Sequence, residues 1–263
     1  MGIVNLTDDS YFAASRCTGV EAALGRISRL IEEGAGMIDL GACSTRPGSL
    51  PVGEEEEWRR LAPVLSEARD VFQNVTLSID TSWASVVRRA FDLVGPFIVN
   101  DISSGEDDPE MLSEVGELGL KYVAMHKRGT PADMQSLTDY NDVVENVHEY
   151  FRNFALKAEE SGIREWILDP GFGFAKTIEL NYALLRNLER FRHGFSSGIH
   201  PQKLLVGISR KSMIYRFLGI TPEESLPATQ ALHLAALQNG ADILRVHDVA
   251  EACHTVSLYR MLA

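Results

Sequence analysis

Short apolar runs recur along the chain, and each ends in polar, mostly ionisable residues. Ile3–Leu6 carries Asn5 and is followed by Thr7, Met37–Leu40 leads to Ser44, Thr45 and Arg46, Val75–Ile79 ends at Asp80, and Phe97–Val99 at Asn100 and Asp101. Tyr122–Met125 ends at His126, Trp166–Leu168 at Asp169, Leu204–Ile208 at Ser209, Arg210 and Lys211, and Ile243–Val246 carries Arg245 ahead of His247 and Asp248. Runs without strict alternation are what strands buried on both faces look like, and ionisable residues gathered at strand C-termini are what an active face looks like. Between the runs lie segments with helical periodicity. In Gly19–Glu33, Val20, Leu24, Ile27, Leu30 and Ile31 share a face while Arg26, Arg29 and Glu32 point elsewhere. Similar patterns predict helices over Glu54–Val71, Ser82–Leu93, Asp108–Leu118, Asp142–Ser161, Glu179–Phe191 and Pro227–Asn239, with Asp108 and Pro109 as a cap and a first-turn proline.

Alternating strands and helices select an α/β fold with a parallel sheet, and eight repeats favour a closed (β/α)8 TIM barrel over an open doubly wound sheet. Such a barrel takes about 250 residues, so the 263 residues fit one domain spanning 1–263, and no Pro/Ser/Gly-rich linker divides them. A formal charge of −12 argues against a nucleic-acid partner. Nothing in the chain resembles a signal peptide or a membrane span, so no membrane partner and a cytoplasmic location are expected. Cys17, Cys43 and Cys253 have no metal-ligand or disulfide-framework spacing. The acidic cluster Glu54–Glu57 reads as the charged first turn of a helix.

The strand ends also carry ordered motifs. They are Met1-Gly2-Ile3-Val4-Asn5-Leu6-Thr7, Ser44-Thr45-Arg46-Pro47-Gly48, Ser78-Ile79-Asp80-Thr81, Val99-Asn100-Asp101-Ile102-Ser103 and Met125-His126. Asp169-Pro170-Gly171-Phe172-Gly173-Phe174, Gly207-Ile208-Ser209-Arg210-Lys211-Ser212 and Arg245-Val246-His247-Asp248 follow. With these motifs the chain resembles the dihydropteroate synthases, the folate-pathway family that joins a dihydropterin to para-aminobenzoate. The resemblance implies a transferase that condenses 6-hydroxymethyl-7,8-dihydropterin diphosphate with para-aminobenzoate and releases diphosphate. It implies a dissociative path without a covalent intermediate, Mg2+ as cofactor, a homodimer and a sulfonamide target.

By that similarity Asp80, Asn100, Asp169 and Lys211 line a pterin site on which Met125 and Phe174 pack. A carboxylate such as Asp169 can accept the paired N–H donors of a pterin's pyrimidine edge, and Lys211 can donate to its oxo group or a ring nitrogen. Asp80, Asp169, Lys211 and Asp9 carry the catalytic expectation. Asn5, with Mg2+, and Arg245 and His247 are expected at the diphosphate, although a structural pair of Arg245 with Asp248 or Asp242 is an open alternative. Tyr11, Thr45, Arg46, Pro47 and Ser212 are expected around para-aminobenzoate, Ser212 because it begins the helix after the seventh strand. The chain departs from the family's usual residues at Asp8, Tyr11, Ala42-Cys43 and Ala175. It also begins at the first strand, where relatives usually carry a further stretch, so either a truncated start or a differently covered barrel bottom is expected. A methyltetrahydrofolate methyltransferase-like pterin enzyme and a non-catalytic pterin-binding paralogue are the alternative readings.

Overall fold

The computed structural model describes residues 1–6, 19–43, 52–68, 70–71, 75–130, 132–195 and 202–262. Its parallel strands β1 (Gly2–Asn5), β2 (Met37–Gly41), β3 (Thr76–Asp80), β4 (Ile98–Asp101), β5 (Lys121–Met125), β6 (Trp166–Asp169), β7 (Lys203–Val206) and β8 (Ile243–Leu244) pair in sequence order. The end of β8 returns to β1 through a parallel bridge between Gly2 and Val246. There the Ile3 amide donates to the Val246 carbonyl at 3.0 Å and the Val246 amide to the Met1 carbonyl at 2.9 Å. The sheet therefore closes into the expected barrel.

Outside it lie α1 (Val20–Glu32), α2 (Glu54–Ala68), α3 (Ala84–Val94), α4 (Met111–Leu118), α5 (Val143–Glu160), α6 (Ile178–Arg186), α7 (Ser212–Leu218), α8 (Leu226–Gln238) and α9 (Val249–Leu262). Among the described residues no helix is long and apolar enough to cross a membrane.

Successive side chains of a strand face opposite ways, so the strands feed two separate cores. Outward-facing Ile38, Leu40, Ile79, Val99, Tyr122, Leu168 and Leu204 pack with Ile27, Leu30, Leu61, Leu65, Val147 and Phe151 of the helices. Each such side chain fully buried contributes roughly 1.5–3 kcal/mol. Inward-facing Ile98, Val123, Ile167, Leu205 and Ile243 form the second core with Met1 and Met37 against them. This apolar plug fills the N-terminal half of the barrel. One inward position further along, the same strands present Asn100, Met125, Asp169 and Arg245, so polarity rises towards the C-terminal face.

Two predicted helices differ from the observed ones. The helix expected from Asp108 begins at Met111, after a turn over Pro109 and Glu110. The Asp108 carboxylate accepts the Glu110 amide at 2.9 Å, as a cap would, and with its other oxygen the Ala84 amide at 2.8 Å, thereby also capping α3. The helix expected over Glu179–Phe191 ends at Arg186 and continues as a 3-10 turn over Leu188–Arg192. Asn187 stands at the break, its side-chain amide donating back to the Ala183 carbonyl at 2.9 Å, a local bond that competes with the helix ladder. The long final helix α9 carries no strong one-sided pattern and is absent from the sequence-based expectation.

Candidate active site

The C-terminal ends of the strands surround a cavity of about 380 Å3. Asn5, Asp80, Asn100, Met125, Asp169, Phe174, Lys211, Ser212, Arg245 and His247, all singled out from the sequence, line it. Asp9, Tyr11, Thr45, Arg46 and Pro47 lie outside the described residues. The strand register explains the convergence. Asn5 pairs with Gly41, Gly41 with Asp80 and Asp80 with Asn100, which puts three polar side chains at one level of the barrel. Gly41 leaves room between them, since a Cβ there would meet Asp80 Cβ at 3.4 Å and Asn5 Oδ1 at 3.7 Å.

One wall, made by β2, β3, β4 and β8, is a closed charge cluster. Arg245 donates from Nε to Asp39 at 2.7 Å and from a terminal nitrogen to Asp80 at 2.8 Å. Asp39 has no exposed surface and also accepts the Ser78 hydroxyl at 2.6 Å and the Asn100 amide at 3.1 Å. The Arg245 alternatives with Asp242 and Asp248 are not the observed pairs, because those aspartates bind Arg192 and Arg210. The Asn100 donor is spent on Asp39, and its amide oxygen is what remains for a ligand. Burial, set against the Arg245 guanidinium and reinforced by Asp39, Asp101 and Asp169, raises the Asp80 carboxyl above its ordinary range. Asp101 beside it points into the loop, accepting from Ser82, Ser103, Gly105 and the Tyr122 hydroxyl. It is an anchor.

The opposite wall, from β6 and β7, keeps its charges apart. Asp169 accepts the Gly171 amide at 2.8 Å through Oδ1, while Oδ2 lies at the edge of Gly207, where a Cβ would be 3.9 Å away. Lys211 Nζ donates to the Phe172 carbonyl and sits 4.8 Å from the centre of the Phe174 ring. Burial brings its ammonium down to about 8, against the attraction of Asp169. Beneath this wall, Lys176 Nζ binds the Gly171 and Phe174 carbonyls and His126 Nδ1, each at 2.9 Å, and so ties the β6 loop to the end of β5. Gly171, at φ +70°, could carry no side chain, since a Cβ would fall 1.9 Å from the His126 carbonyl oxygen. Ala175 adopts the left-handed φ of 52°, a conformation that costs a residue with a side chain roughly 1–2 kcal/mol.

Between β7 and β8, Arg210 also adopts a left-handed φ of 52°. Its guanidinium makes a bidentate pair with Asp248 at 2.8 and 2.9 Å and donates to the Pro222 and Glu223 carbonyls, both at 2.8 Å. This clamp fixes the backbone that launches Lys211 and Ser212. Burial and neighbouring Arg245 push the His247 imidazole down to about 3. Without a ligand, His247 is therefore a neutral hydrogen-bonding group.

Three groups that organise the site, Asp39, Lys176 and Arg210, were not picked out as site residues by the sequence reading. Asp39 had a readable signal: an aspartate inside the apolar run Met37–Leu40 can be buried there only with a partner. Among the described residues no cluster of three or more His, Cys, Asp or Glu is placed to hold a metal ion.

The family described as pterin binding enzyme matches residues 1–247. The dihydropteroate synthase of Escherichia coli (strain K12) is 40% identical over 253 residues, covering 95% of this chain and 86% of that protein. The Yersinia pestis dihydropteroate synthase, solved with a sulfonamide drug complex, superimposes with a TM-score of 0.92 at 34% identity, covering 99% of this chain and 92% of that one. The Xanthomonas albilineans dihydropteroate synthase solved with 4-aminobenzoic acid gives a TM-score of 0.88 at 37% identity, covering 99% and 91%.

Proposed function

Because the chain belongs to the dihydropteroate synthases, a family of pterin-binding transferases of folate synthesis, we propose that it condenses 6-hydroxymethyl-7,8-dihydropterin diphosphate with para-aminobenzoate, releasing diphosphate. The observation that carries this reading is the convergence of Asn100, Asp169, Lys211 and Arg245 on one cavity. The Asn100 amide oxygen and the Asp169 carboxylate are acceptors for the N–H edge of the pterin, and Lys211 is the matching donor to its oxo side. Met125 and Phe174 supply apolar surface for the ring. Asn5, Arg245 and His247 face the diphosphate.

Loss of diphosphate leaves positive charge delocalised over the pterin, which the Asp80 and Asp169 carboxyls stabilise electrostatically in a site shielded from water. The amine then attacks the exocyclic carbon, and positioning does most of the work. No side chain need form a covalent bond. Asn5 offers one neutral oxygen donor, which fits Mg2+ carried in on phosphate oxygens and water and does not fit a metal held by protein alone. When bound, the ion neutralises charge on the leaving diphosphate. The same reading makes the protein a cytoplasmic homodimer. The exposed apolar side chains Phe217 and Leu218 on α7, and Leu258, Met261 and Leu262 on α9, support a second copy.

Purified protein given both substrates and Mg2+ is expected to form dihydropteroate, detected by mass spectrometry, with an equal amount of diphosphate. Pterin binding by calorimetry without either product would overturn the enzymatic reading in favour of a binding protein.

A further inference from the structure

The cavity mouth carries a cation to which the pterin reading gives no role. Ser212, Tyr215 and Arg216 of α7 all line the cavity, at the i, i+3, i+4 spacing that puts side chains on one helix face. Met213 and Ile214 turn into the core instead, and Phe217 and Leu218 face outward.

Of the lysines and arginines lining the cavity among the described residues, Arg245 is engaged by Asp39 and Asp80, and Arg210 by Asp248 and two carbonyls. Lys211 is held by the Phe172 carbonyl and the Phe174 ring. Arg216 alone makes no ion pair or side-chain hydrogen bond among the described residues, and it is exposed at the rim.

The para geometry of the second substrate gives that cation something to bind. Its amine must lie beside the pterin's exocyclic carbon, in the inner half of the cavity, so its carboxylate points outward along the ring axis. A guanidinium matches a carboxylate with two parallel N–H donors, which adds direction as well as charge.

We infer that Arg216 reads the far carboxylate of the amine substrate and so selects anionic para-substituted anilines over neutral ones. The inference rests on the proposed condensation. Arg216 determines specificity and touches no reacting atom, so its effect falls on one substrate's KM and leaves kcat alone.

The test compares 4-aminobenzoate with its uncharged analogue 4-aminobenzamide, using wild type, Arg216→Gln and Arg216→Lys. In Arg216→Gln the KM for 4-aminobenzoate rises about 5- to 10-fold. The KM for dihydropterin diphosphate and kcat stay put, and the preference over the amide shrinks by the same factor. Arg216→Lys retains part of that preference. An unchanged preference, an equal loss for both amines, or a rise confined to the pterin diphosphate overturns the inference while leaving the condensation intact. A wild type that turns over neither amine removes the condensation and the inference together.

Discussion

The two walls of the cavity hold their carboxylates in opposite ways. On the β2–β3–β8 wall, Asp39 and Asp80 share the Arg245 guanidinium, and Ser78 and Asn100 fill further acceptor sites on Asp39. On the β6–β7 wall, Asp169 takes one backbone N–H, and the nearest ammonium, Lys211, is turned to a carbonyl and an aromatic ring. The first wall ties two carboxylates to one guanidinium, so it is a scaffold before any ligand arrives. The second keeps an acceptor and a donor apart, and a ligand presenting both an N–H edge and an oxo group completes them. Ion pairing is concentrated in the first wall, while the second leaves its acceptor and donor for a ligand.

The sharpest break of that contrast is Arg245→Met. It leaves Asp39 inside the barrel with no counter-charge, and removing one partner of a buried pair costs about 3–5 kcal/mol. Urea denaturation is expected to show a loss of that size, together with lost turnover.

On the other wall, Lys211→Ala should separate the two properties. Turnover falls roughly 10²–10³-fold, the scale of losing one well-placed hydrogen-bond donor from a site. Stability changes by less than about 1 kcal/mol, because the lysine is desolvated without a direct ion pair. With the ammonium brought down to about 8, wild-type pterin affinity also declines as pH rises through that value, and calorimetry between pH 7 and 9.5 checks it. Equal destabilisation by both substitutions would erase the distinction between the walls.

The scaffold was more legible in the sequence than the wiring of the site. Buried parallel strands advertise themselves as apolar runs, and Val99, Ile79 and Leu168 lie where those runs placed them. The strand-end positions of Asp80, Asp169 and Lys211 were readable for the same reason. Which partners those residues take was not, because pairing depends on register between strands far apart in the chain. Arg245 lies 206 residues from Asp39, whereas sequence proximity pointed to Asp248 or Asp242. Asp108 was half legible in the same way, since besides the local Glu110 amide its carboxylate accepts that of Ala84, 24 residues earlier, at the start of α3. The run Glu54–Glu57 read as a uniform charged turn, yet Glu56 pairs with Arg59 and Arg60 on the surface while Glu57 is 1% exposed. One-dimensional periodicity could not tell a fourth solvated glutamate from one facing the barrel.

Glu57 supplies the smallest and most specific test of how the first wall is balanced. Asp39, Asp80, Asp101 and Glu57 crowd the ends of β2–β4, with Arg245 bound to the first two and Arg60 only partly offsetting the last. Carboxyls outnumber the cations that can reach them, so some must hold a proton near neutrality. Burial, with Asp80 and Asp101 adding repulsion against a Thr81 hydrogen bond, pushes the Glu57 carboxyl up to about 7, and its Oε1 has no hydrogen-bond partner among the described residues. Between the ordinary glutamate value of 4.5 and about 7 the native state binds more protons than the unfolded one, so this residue makes stability fall as pH rises through that window. Glu57→Gln cannot ionise and escapes the fall. Relative to wild type, its advantage should grow by on the order of 1–3 kcal/mol between pH 4.5 and pH 8, read from urea midpoints at the two pH values. A wild-type and variant pair whose difference is the same at both pH values would mean that folding leaves the Glu57 carboxyl at its ordinary value and that the wall finds its counter-charge elsewhere.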